Sequence, residues 1–184
     1  MGAGVIDARA VATEGAVLGV FGIGWLVSRA LRRPWRAAEV LTMYMVGMLF
    51  EVLTCFMWQY HHIFLVLPWP LDNDISILFP LGWAGMIMTA TPVAERLAAR
   101  WRARSGLARH LVLAGVWLVI GAAAETTFYR IGMIEYIRDA RTEVNFLLGQ
   151  APGLPPTLVL LCYGITQPFF SRYLQWLERA PRRA

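Results

Sequence analysis

The chain reads as an all-α polytopic membrane bundle of about five transmembrane helices, with the N-terminus outside and the C-terminus cytoplasmic. Three observations predict this. The 184 residues are 58% hydrophobic and 16% charged, with a mean hydropathy of +0.51. Soluble domains average roughly 45–50% apolar and about 25% charged, and a chain this short has too much surface to hide the excess. The apolar residues lie in continuous runs long enough to cross a hydrocarbon core of about 30 Å, which takes roughly 20 helical residues. The arginines gather in alternate connections, as the positive-inside rule requires.

Taken in order, the first span covers about 11–31. The N-terminal stretch, MGAGVIDARAVATEG, lacks the basic leader of a secretory signal peptide. Arg29, Arg32, Arg33 and Arg36 follow it and hold the next connection in the cytoplasm. Gly15 and Gly19 form a GxxxG step that lets another helix approach closely. The second span runs over about 37–59. The connection after it, QYHHIFLVLPWPLDND, has no Arg and belongs outside. The third span, about 75–97, takes Asp72 or Asp74 as its N-cap, and Pro80 and Pro92 are expected to kink it. The arginines of 96–109 then mark a cytoplasmic loop, with anionic lipid as a secondary partner. The fourth span is about 108–129. Residues 130–150 carry Ile131, Ile134, Ile137, Val144 and Leu148 at amphipathic spacing, which predicts an outer surface helix or an extension of the fourth span. The fifth span, about 155–177, contains Pro168 and ends in Arg172, Arg179, Arg182 and Arg183. Trp58, Trp69, Trp101 and Trp176 fall where interfacial aromatics are expected. Residues 1–184 form one domain without an internal repeat.

Several function classes drop out. The net charge of +5 arises from loop arginines, so topology explains it and nucleic acid is not an expected partner. All 17 basic residues are Arg, a composition typical of a GC-rich bacterial genome, and the expected location is a bacterial inner membrane. Cys55 and Cys162 make no CxxC, and neither HxxxH nor ExxH spacing supports a metal. Haem ligation fails because His110 lies on the opposite side from His61 and His62. No cofactor is expected.

The chemistry-bearing residues lie in the outer half. On the second span Tyr44, Gly47, Met48, Glu51, Cys55, Trp58 and His62 follow steps of three and four, which places them on one helical face. Glu51 stands roughly 20 Å above the cytoplasmic start of its helix, and Glu125 about 25 Å above its own. Trp117 and Phe128 share the Glu125 face. Trp83 and, from the fifth span, Tyr163 and Gln167 arrive at similar depths. An ionisable residue inside a membrane span is a functional hypothesis by default. A carboxyl there is suited to hand a proton to an apolar substrate. Glu51 and Glu125 are therefore the expected acid/base pair. Tyr44, Cys55, Trp58, His62, Trp83, Trp117, Phe128, Tyr163 and Gln167 are the expected substrate-binding set.

Two stretches carry a resemblance. GIGWLVSRALRR…MVGMLFEVLTCFMW resembles the opening of the small polytopic membrane terpene cyclases of meroterpenoid pathways. FEVLTCFMWQY…ILFPLGWAGM is similar to carotenoid hydratase-like membrane proteins. The likeness covers residues 21–90. It implies that Glu51, following Phe50, protonates an isoprenoid, and that Pro80, Leu81 and Trp83 supply the hydratases' PLxW step. The cyclases' second acid lies on a late helix where this chain has Tyr163 and Gln167, so Glu125 would take its place.

The expected function is an integral membrane enzyme doing cyclase- or hydratase-like acid/base chemistry on an isoprenoid or other apolar lipid. Trp58, Trp83, Trp117 and Phe128 would shield a developing carbocation. The competing class is a non-enzymatic accessory or assembly subunit with membrane-protein partners, or a homo-oligomer. A small transporter ranks third, because no inverted repeat is visible.

Overall fold

The computed structural model describes residues 8–54, 57–63, 66–67 and 75–179. Its elements are α1 (Ala8–Ala30), α2 (Ala37–Thr54), β1 (Trp58–Tyr60), β2 (Val66–Leu67), β3 (Ile75–Ser76), α3 (Phe79–Arg100), α4 (Gly106–Arg130), β4 (Ile134–Tyr136), a 3-10 turn (Glu143–Phe146) and α5 (Thr157–Arg179). The fold is largely helical and multi-pass. Among the described residues α1, α2 and α4 are long and apolar enough to cross a membrane. The five expected spans thus divide into three strongly apolar helices and two, α3 and α5, of similar length but lower hydrophobicity.

Packing explains that division. α3 is the central helix; α1, α2 and α4 pack on it, and α5 packs on α4. Surrounded by protein, α3 needs close fit more than greasiness. Its buried residues include Gly82, Ala84, Gly85, Ala90, Thr91, Ala94 and Ala98. The three apolar helices instead turn large side chains outwards: Leu18, Ile23, Leu26, Leu41, Leu49, Leu53, Leu111 and Val119 are all exposed. An apolar exterior over a small-residue interior is what a bilayer demands of a helical bundle.

One end of the bundle is basic. It holds the α1–α2 and α3–α4 turns and the last turns of α5. Ser105 caps α4 there, its hydroxyl accepting from the Ala108 N–H at 3.0 Å. The opposite end carries the strands. β1 pairs antiparallel with β4 in the register Trp58↔Tyr136, Gln59↔Glu135, Tyr60↔Ile134, and β2 pairs with β3. The N–H of His61 to the Met133 carbonyl (2.8 Å) and of Ile137 to that of Met57 (3.1 Å) extend the first ladder.

The strand end departs from the sequence reading. Among the described residues the second span runs to Thr54, whose hydroxyl bonds back to the Phe50 carbonyl at 2.6 Å, and Trp58 already lies in a strand. Trp58 and His62 therefore do not continue the Glu51 helical face. Residues 130–150 form a strand and a 3-10 turn, neither a surface helix nor an extension of α4. The physical reason is a two-residue period in both segments: Trp58-Gln59-Tyr60 and Ile134-Glu135-Tyr136 each run buried, exposed, buried. That alternation suits a half-buried strand. Helix α3 starts only at Phe79, with the Ser76 hydroxyl accepting its N–H at 3.1 Å. Asp72 and Asp74, the expected caps, and Trp69 lie outside the described residues. Pro80 sits in the first turn of α3, where a missing N–H costs nothing, and so opens the helix instead of kinking it. Pro92 and Pro168 do lie inside helices.

Candidate functional site

At the strand end a cavity of about 230 Å³ lies between α2 and α5. Its floor is Phe79 and Trp83 on α3 with Glu125 on α4. Phe50 and Thr54 of α2 form one wall, and Cys162, Tyr163, Thr166 and Gln167 of α5 the other. Met57, Trp58, Ile134, Tyr136 and Asn145 roof it. Although both flank the cavity, α2 and α5 do not form a packed pair. A narrower extension of the same seam continues below, between Phe50, Trp83, Ile87 and Gln167.

The two carboxyls anticipated from the sequence converge here, each held by tyrosines. Glu125 is buried, and its two oxygens accept short hydrogen bonds from the Tyr136 and Tyr163 hydroxyls. Glu51 is fully buried; one oxygen accepts from the Tyr60 hydroxyl at 2.5 Å, and the other has no partner among the described residues. The strand ladder makes this possible, since its period of two aims Trp58 and Tyr60 inwards alongside Ile134 and Tyr136. Burial, and then the carboxylate each faces, hold the Tyr60 and Tyr136 phenols well above their usual range, so both keep the proton that they donate. Tyr163 reaches Glu125 because Gly121, one turn earlier on α4, has no side chain; a Cβ there would collide with the Tyr163 ring.

Aromatic rings fill the space around the acids. Phe50 lies 4.8 Å from Trp83 between centroids, Trp83 stacks on Tyr163 at 5.9 Å, and Trp58 meets Tyr136 edge-on at 6.5 Å. Set in this apolar wall are buried polar atoms without hydrogen-bond partners among the described residues: the Trp83 indole N–H, the Asn145 amide nitrogen and the Gln167 amide oxygen. Each unpaired group costs about 1–3 kcal/mol if nothing fills the cavity. A mostly apolar pocket with a few convergent polar groups is the usual form of a small-molecule site.

The expected residues are distributed unevenly. Glu125, Trp58, Trp83, Tyr163 and Gln167 line the cavity. Glu51 does not; it stands one layer behind the wall. Phe128 is also behind it, edge-on to Phe79 at 5.5 Å. Three residues belong elsewhere. The Tyr44 hydroxyl donates to the Ile77 carbonyl at 3.1 Å and ties α2 to the segment before α3. Trp117 lies two turns below Glu125 and donates to the Ser171 hydroxyl at 2.8 Å. His62 adopts φ 53° and its carbonyl accepts from the Thr13 hydroxyl on α1. Cys55 lies outside the described residues. His61 pairs at the surface with Glu135 at 2.9 Å. Tyr60, Tyr136, Phe79 and Asn145 were missed; the alternation of WQY and IEY was the signal for the two tyrosines. Among the described residues no group of three or more His, Cys, Asp or Glu could hold a metal ion.

No family model matches the chain, and no curated protein or solved structure does either.

Proposed function

We propose that this is an integral membrane enzyme of acid/base type acting on an isoprenoid or similarly apolar lipid. The observation that carries the reading is the pair of buried glutamates, clamped by three tyrosines, at an aromatic cavity open along a seam between two helices. In this reading all five helices cross the membrane and the strand end faces outwards. The substrate slides from the outer leaflet between α2 and α5. In its neutral carboxylic-acid form Glu125, on the wall, gives a proton to the bound alkene or oxygen function. The cation that results faces Phe50, Trp58, Phe79 and Trp83, whose ring faces favour positive charge. Loss of a neighbouring proton to the Glu125 carboxylate completes an isomerisation or cyclisation; capture of water, with its extra proton returned to the Glu125 carboxylate, completes a hydration. Tyr136 and Tyr163 hold Glu125 in place, and Glu51 with Tyr60 supports it from behind. The sequence reading gave Glu51 the donor's role; the wall position favours Glu125. The resemblance of residues 21–90 to membrane terpene cyclases and carotenoid hydratases supports this chemistry and an isoprenoid as the substrate class.

Proton-initiated chemistry leaves an isotopic record. Membranes containing the protein, incubated in D₂O with a mixture of polyprenyl lipids, should yield lipids carrying carbon-bound deuterium by mass spectrometry. General acid–base catalysis is worth about 10²–10⁴-fold, so Glu125→Gln should lower incorporation at least ~100-fold. Unchanged incorporation in that variant would reject Glu125 as the acid.

A second reading, an accessory subunit, draws on α1. Gly15 and Gly19 are exposed, and nothing among the described residues lies within 4 Å of a Cβ built on either. Solubilisation with larger partner subunits, and no deuterium uptake by the isolated chain, would favour it.

A further inference from the structure

A larger cavity, about 500 Å³, opens at the basic end between α3, α4 and α5, far from the glutamates. Ala94, Ala98 and Ala99 leave the room, and Leu113 and Trp176 complete the apolar wall. Two cations stand at its mouth. Arg109 Nε donates to the Ala103 carbonyl at 3.1 Å, and Arg172 Nη2 to the Gly106 carbonyl at 2.8 Å. Both guanidiniums are thus pinned to the same α3–α4 turn, and each keeps further N–H groups of its five for a ligand. Among the described residues no carboxylate pairs with either; Glu95, also on the wall, is bonded to Arg33.

The third observation is deeper in the cavity. Thr91 is fully buried and its hydroxyl has no partner among the described residues. Thr42, Thr54, Thr89, Thr127 and Thr166 all satisfy theirs on the carbonyl four residues back. Thr91 does not, and it lines the cavity. A buried orphan hydroxyl at one end and two anchored guanidiniums at the other describe a site for an amphiphile.

We propose that this cavity binds a phosphate ester, with the phosphate forked between Arg109 and Arg172 and the attached chain running past Ala94 and Ala98 so that one of its ester carbonyl or hydroxyl oxygens pairs with the Thr91 hydroxyl. Arg suits this role because its planar fork matches phosphate oxygens. The inference is independent of the chemistry proposed at the opposite end. The phosphate could come from an anionic phospholipid or from a soluble ester, and the test separates them.

The full-length protein is reconstituted in nanodiscs of phosphatidylcholine alone or with 20% phosphatidylglycerol, and retained lipid is counted by native mass spectrometry. Wild type should keep one phosphatidylglycerol per chain. Arg172→Gln should reduce retention at least tenfold, and Thr91→Val several-fold. Ala98→Leu, which leaves both arginines in place and narrows the cavity, should abolish it while thermal unfolding stays near wild type; this variant guards against a folding defect in the first. In phosphatidylcholine discs, millimolar inorganic phosphate that raises Tm in wild type but not in Arg172→Gln would identify a soluble ester as the source. Equal retention in wild type, Arg172→Gln and Ala98→Leu, with no response to phosphate, overturns the proposal.

Discussion

Trp117 shows how a residue's chemistry depends on what it meets. It is an aromatic on the Glu125 face of α4, yet its indole N–H is committed to Ser171 of α5, with Trp117 fully buried and Ser171 1% exposed. It is a polar tie between two helices and takes no part in the cavity. Interhelical hydrogen bonds in membrane proteins run up to about 1.7 kcal/mol and average about 0.6 kcal/mol by double-mutant cycle. A cycle on Trp117→Phe and Ser171→Ala, read from thermal unfolding in detergent, should give a coupling energy within about that range. Strictly additive effects would mean that the bond contributes nothing. Glu125 behaves in the opposite way. Its position on an apolar face said that it needed partners, and it has them, but the partners come from sequence separations of 11 and 38 residues. No local spacing announces such a pair.

Among the elements, the contact of α1 with α3 rests on glycines other than the expected ones. Gly15 and Gly19 face outwards, whereas Gly85 of α3 sits where a Cβ would come 2.6 Å from the Phe21 Cα. Gly24 meets the Gly85 backbone in the same crossing. GxxxG spacing identifies a helix face that permits close approach; it does not say which neighbour uses it. Gly85→Ala should therefore force α1 away from α3 at a cost of about 1–3 kcal/mol, the usual range for overpacking. Gly19→Ala should stay within about 0.5 kcal/mol of wild type. Chemical unfolding in mixed micelles measures both, and equal stability of the two variants would show that the crossing does not depend on Gly85. The same limit applies to the strands. Three residues of alternation are too few to outweigh the long apolar run beside them. Only pairing between distant segments, Trp58 with Tyr136 78 residues apart at its widest, reveals them as strands.

For the whole molecule, the decisive feature is that apolar side chains face out. Leu26, Leu41, Leu53, Leu111 and Val119 are each at least 60% exposed, while α3 is buried along most of its length. Water would not tolerate that surface; hydrocarbon does. The arginine-bearing end should then lie in the cytoplasm. In a variant without the native cysteines, Arg104→Cys on the α3–α4 turn should resist a membrane-impermeant maleimide on intact cells, and Ala151→Cys before α5 should react. The reverse pattern would invert the molecule. Labelling of both from one side would mean that α4 does not cross.

By itself the sequence determined the helices, their alternating arginine-rich ends and the two acids in apolar spans. The reason is that lipid offers backbone N–H and C=O groups no outside partner, so an apolar run of sufficient length must satisfy them within itself as a helix. That is a local requirement, readable from composition. The tertiary structure decided which polar groups meet. Tyr60, Tyr136 and Tyr163 reach the two glutamates through a strand register and a missing side chain at Gly121, while Tyr44, His62 and Trp117 are drawn to other partners. Those choices depend on contacts between distant segments, where shape and hydrogen-bond geometry, and not hydrophobicity, select the neighbour.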